Sequence, residues 1–131
     1  MASRREARRQ AIDILFQADV TGADGPGVIC EWEAAGRPVA EFARELVSGV
    51  TAHRAEIDRL LERFAEGWTV ERMAALDRTI LRVACYELLH RDDVPPAVAI
   101  DEAVEAAKTL STEDSSRFVN GVLGAIARDR A

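Results

Sequence analysis

Lysine is almost missing from this chain. Lys108 is the only one, and the other 16 of the 17 basic residues are arginine. A bias that broad reads as a property of the whole coding sequence, so it explains no single site. Cysteine is scarce too: Cys30 and Cys85 stand far apart with no C-x-x-C spacing, beside only two histidines, His53 and His90. A structural zinc site takes about four such ligands, so no metal is expected. The two thiols are expected to stay unpaired. No stretch of about 18 apolar residues is present, so no transmembrane helix is expected. The N-terminus has no apolar leader core, which points to the cytoplasm. Catalytic signatures are absent as well: there is no G-x-S-x-G, H-E-x-x-H, P-loop or G-x-G-x-x-G. Neither catalytic residues nor a cofactor is expected.

What is there is apolar and helical. With 131 residues, 48% of them apolar, the chain is long enough for one domain with its own core. Residues 3–20 predict a helix opened by the capping-box pair Ser3 and Glu6, with Ala7, Ala11, Ile14, Leu15 and Ala18 on its apolar face. "TGADGPG" (21–27) reads as a turn, and 28–38 as a loop with one helical turn near Glu31. Pro38 predicts the start of a helix running to Phe64, bent or broken near Gly49. Thr69 is a candidate cap for a short turn holding Glu71. Residues 76–90 carry the widest apolar arc and predict the central helix. Pro95 and Pro96 open another helix, and Val119, Val122, Leu123 and Ile126 mark the last. No strand pattern of useful length appears. The fold class is all-α: a compact bundle of about seven helices.

Charge is segregated. The chain carries net −6, but its first ten residues carry +3 and the other 121 carry −9. On a helical wheel Arg5, Arg9, Ile12 and Phe16 share a side away from the apolar stripe, with Arg4 and Arg8 near its edge. Guanidinium groups grip phosphates bidentately, and an exposed ring stacks on an unpaired base. That stripe suits single-stranded RNA better than an ordinary solvated face, because cations at a helix N-terminus oppose the macrodipole.

Two further stretches stand out. In "TEDSSRFVNGVL" (112–123), a helix start with free N–H groups suits a phosphate, with Asp114 and Phe118 nearby. Asp114 as a plain N-cap and Phe118 as the core's edge is the competing reading. Gly121 is expected to allow close helix approach. In "LDRTILRVACYELL" (76–89), Asp77 and Glu87 fall inside the apolar arc. Buried acids need partners, and arginines of a neighbouring helix are the first expectation; the alternative for Asp77, near a helix start that favours a carboxylate, is exposure.

Taken in order, "RREARRQAIDILFQAD", "FARELVSGV", "LDRTILRVACYELL", "VPPAVAIDEAVEAAK" and "EDSSRFVNGVL" resemble the NusB family of transcription antitermination factors over residues 4–124. The resemblance implies a single RNA-binding domain over 1–131, built from two three-helix subdomains of about 1–67 and 68–131. It implies binding of boxA, a short single-stranded element of rRNA leaders, together with NusE, a ribosomal small-subunit protein. The pair would act in an RNA polymerase antitermination complex with NusA and NusG. On matching positions it assigns RNA contact to Arg4, Arg5, Arg8, Arg9 and Phe16, and to Asp77, Arg78, Asp114 and Phe118. Glu71 would border the NusE surface. Some members form homodimers that cover this face, and the resemblance allows either state. Phe16 stands where some relatives have tyrosine, so stacking is kept without a hydroxyl. The fold also occurs fused to rRNA cytosine methyltransferases; 131 residues leave no room for such an enzyme, so the free factor is expected. A purely protein-binding adaptor would leave the arginine–Phe16 stripe without a role.

Overall fold

The computed structural model describes residues 3–130. Among them are seven α-helices, one 3-10 turn and no strand: α1 (Arg4–Thr21), α2 (Gly25–Ala34), α3 (Glu41–Ala52), α4 (Arg54–Phe64), the turn Val70–Arg72, α5 (Ala75–His90), α6 (Pro96–Leu110) and α7 (Glu113–Arg130). The all-α expectation holds.

The α1 start is set locally. Ser3 caps it, its Oγ accepting from the backbone N–H of Glu6 at 3.1 Å. Helix α5 is the central element, as its apolar arc predicts, and packs against α1, α3, α4, α6 and α7. Its Ile80, Leu81, Val83, Ala84 and Cys85 are buried, together with Leu46, Ile57, Leu61, Leu123 and Ile126 from its neighbours. The alanines of α6 (Ala99, Ala103, Ala106 and Ala107) are buried too. Small side chains there let α6 lie close to α5 and α7.

Four local expectations are corrected. The stretch that reads as turn and loop is the helix α2. Asp24 caps it, accepting from Gly27 N–H at 2.6 Å, and Val28, Ile29 and Trp32 are its buried face. The α3–α4 break falls at His53 rather than Gly49, and α3 begins at Glu41 rather than Pro38. Gly49 instead makes room for Tyr86: a Cβ there would sit 2.1 Å from its Cζ. Gly121 is exposed, with nothing within 4 Å of a would-be Cβ, so it mediates no close approach.

Candidate nucleic-acid interface

The four arginines of α1 do not act alike. Arg4 and Arg5 are exposed, each paired with an acid outside α1. Arg4 Nη2 lies 2.8 Å from Asp93. Arg5 donates from Nε and Nη2 to Glu102 at 3.1 Å. Hydrogen bonding to Glu102 pushes the Arg5 pKa up. Arg9 is half-buried and has no ion-pair partner among the described residues. Arg8 departs from the expectation. It is buried, and its Nε and Nη2 grip both oxygens of Glu87 at 2.8–3.2 Å. The wheel gives Arg8's angle on α1 but not what stands opposite, which is α5. The same packing buries Ile12, expected on the arginine face, at 4% exposure.

Arg5, Arg8, Arg9 and Ile12 line a groove whose other walls are Ile80 and Glu87 of α5 and Glu102 and Ala106 of α6. The register of the helices gives its direction. One turn beyond Ile12 stands Phe16, and one turn before Ile80 stands Asp77. The α6 wall ends at Ser111. Phe16 is half-buried and does not pack on the core, which leaves ring surface for stacking.

At that end lies the second group. Asp77 finds hydroxyl partners rather than an arginine: Ser115 Oγ at 3.1 Å and Ser111 Oγ at 3.4 Å. Arg78 is committed to the fold. Its Nε donates to Asp19 of α1 at 2.7 Å and its Nη1 to the Met73 carbonyl at 3.2 Å. Thr112, not Asp114, caps the last helix, its Oγ1 accepting from Ser115 N–H at 3.0 Å. Asp114 is fully outward and bonds only Arg117, at 2.9 Å. Phe118 is half-buried at the core's edge and meets Trp68 edge-on, centroids 6.3 Å apart. Glu71 is exposed in the 3-10 turn.

Trp68, 49% exposed, is the largest apolar side chain on this face, and sequence reasoning misses it. Together with Arg72, Met73, Asp77, Asp114 and Phe118 it lines a cavity of about 530 Å³. The available signal is its place after "EG" (66–67), where a tryptophan in a turn has no helix face to bury it.

A family model described as the NusB family matches residues 5–128. The chain belongs to the NusB family. The transcription antitermination protein NusB of Saccharopolyspora erythraea is 55% identical over an alignment covering 97% of this chain and 88% of that protein. Among solved structures, NusB of T. maritima superposes with a TM-score of 0.87 at 36% identity, covering 98% of this chain and 92% of that one. A NusB structure in complex with NusE and dsRNA gives 0.85 at 28% identity, covering 96% of each chain. Within this NusB-family fold, the arginine groove and the Trp68–Phe118 cavity are separate hollows, with Asp77 in the lining of the second.

Proposed function

We propose that this chain is an adaptor without catalysis. It binds boxA-type single-stranded RNA of rRNA leaders together with NusE, within an RNA polymerase complex that includes NusA and NusG. The observation that carries the reading is the α1 run of exposed Arg4 and Arg5 and half-buried Arg9, with the half-buried Phe16 ring further along the same helix. Arg4, Arg5 and Arg9 neutralise phosphates, and Phe16 and Phe118 offer rings to splayed bases. Asp77 and Asp114 accept from base amino groups. Arg8 and Arg78 serve indirectly, bracing α1 through Glu87 and Asp19. The relative solved with NusE and RNA supports the choice of partners. Glu71 and the exposed Trp68 edge are the surface offered to NusE.

The test is fluorescence anisotropy with boxA RNA, a scrambled strand and a boxA duplex, each with and without NusE. For single strands the salt slope falls by roughly 0.7 for each phosphate that is no longer neutralised. Replacing Arg5 and Arg9 by alanine is therefore expected to flatten it by about 1.4. An unchanged slope removes these residues from the site. Equal affinity for boxA with and without NusE removes the adaptor role.

A further inference from the structure

The rings of His53 and His90, 37 positions apart in sequence, stack face to face with centroids 3.9 Å apart. Glu56 reaches both. Its Oε1 lies 2.8 Å from His90 Nε2 and 3.5 Å from His53 Nδ1. One donor atom from each of the three lies within 4.8 Å of the others, and no other such group occurs among the described residues.

The fold brings the three together for reasons that can be traced. His53 is the corner residue between α3 and α4, and its side chain makes no capping bond there. Its ring is therefore not committed to the backbone. Glu56 follows in the first turn of α4, and His90 is the last residue of α5. Behind them stands Tyr86, 5.6 Å from the His90 ring and 6.1 Å from the His53 ring, seated in the notch that Gly49 leaves.

We propose that His53, Glu56 and His90 form a binding site for a divalent transition-metal cation of the Zn²⁺ or Ni²⁺ type, which ties the α3–α4 corner to the end of α5. Imidazole is the side chain best suited to these ions. Tetrahedral zinc holds nitrogen at about 2.0–2.1 Å and carboxylate oxygen at about 2.0–2.2 Å. Adjacent ligand atoms then stand roughly 3.3 Å apart, by the tetrahedral angle and those bond lengths. The two Glu56 distances, 2.8 and 3.5 Å, bracket that spacing. The cation takes the place of the proton between His90 and Glu56, and each ring turns out of the stack to aim an in-plane lone pair at it. Side-chain exposures of 30% for His90 and 42% for His53 leave room for that turn, and water completes the coordination. The carbonyl end of α5 favours positive charge at His90.

Two features set the strength of the site. There is no fourth protein ligand among the described residues, and Arg130 is near enough for its positive charge to be felt at Glu56. Cys85 is buried and burial pushes its thiol up to about 12, so it supplies no thiolate. The site is therefore a reversible one, added to a fold whose core does not depend on it.

The experiment uses the full chain, free of any affinity tag and stripped with a chelator. It is titrated with Zn²⁺ by calorimetry and with Co²⁺ by visible absorption. The expected result is one ion per chain, a Tm that rises with Zn²⁺, and a Co²⁺ spectrum of low coordination number. His53→Ala, His90→Ala and Glu56→Gln, each with unchanged far-UV circular dichroism, are expected to weaken Zn²⁺ binding at least about tenfold. Cys30→Ser, which removes the exposed thiol, is expected to leave it unchanged. Zn²⁺ binding that survives both histidine substitutions, depends on Cys30, or is not one-to-one overturns the proposal.

Discussion

Arg8 and Glu87 form a bidentate pair shut away from water, 9% and 1% exposed at their side chains. Removing one member of such a pair strands the other charge and costs about 3–5 kcal/mol. Arg8→Met is thus expected to lower the denaturation midpoint strongly, while Arg8→Met with Glu87→Leu recovers most of the loss. Urea unfolding of both variants checks this. The wheel of 76–89 already calls for a partner to Glu87, with arginine the expected kind. Which arginine is not legible there, because a wheel orders the residues of one helix and is silent on its neighbour. Asp93 is the contrasting case. Hydrogen bonds from Arg91, then Arg4, hold its carboxyl well below the ordinary 3.8. A carboxyl lowered in the folded state stabilises above its unfolded pKa and loses that contribution as pH falls through its folded value. Asp93→Asn is expected to have a slightly lower Tm at neutral pH and to converge with the parent as pH drops below about 4. Parallel Tm–pH curves for the two proteins would contradict this.

Among the elements, two glycines in helices predict opposite outcomes. At Gly49 a Cβ meets the Tyr86 ring at 2.1–2.3 Å, and overpacking of that kind costs about 1–3 kcal/mol. At Gly121 the space is open, so alanine gains its helix propensity, about 1 kcal/mol. Thermal unfolding of Gly49→Ala and Gly121→Ala is expected to move Tm down and up respectively. Sequence alone assigns these roles in reverse, with Gly49 as a helix breaker and Gly121 as a close neighbour. Propensity describes what glycine permits, and only tertiary packing says which permission is used. The misreading of α2 has a similar root. Gly25, Pro26 and Gly27 look like a turn, yet an Asp24 cap and a proline in the first turn are also how a helix begins. The long helices α1, α5, α6 and α7 are legible because each has a clear apolar face or an evident start signal.

At the scale of the molecule, the basic face is lined by its own acids. Glu102 and Asp93 hold the outer arginines in the absence of RNA. An exposed pair is worth about 0.2–1 kcal/mol, so freeing Arg5 by Glu102→Gln is expected to tighten boxA binding roughly two- to fivefold. Anisotropy at fixed salt measures it, and weaker binding would place Glu102 itself on the RNA. The candidate site is half legible in the sequence: the arginine stripe and Phe16 stand out by charge and spacing. Trp68 does not, because a lone aromatic in a turn has no period to announce it.

The two tryptophans differ in a way that is useful in its own right. Trp32 is 7% exposed, with its indole N–H bonded to Gln17 Oε1 at 3.1 Å. Trp68 is half-exposed against Phe118. Their emission should therefore divide into a blue component that follows the seating of α2 on α1 and a red component that follows contact at the Phe118 end. The chain carries two built-in optical channels, one for its own integrity and one for what lands on it.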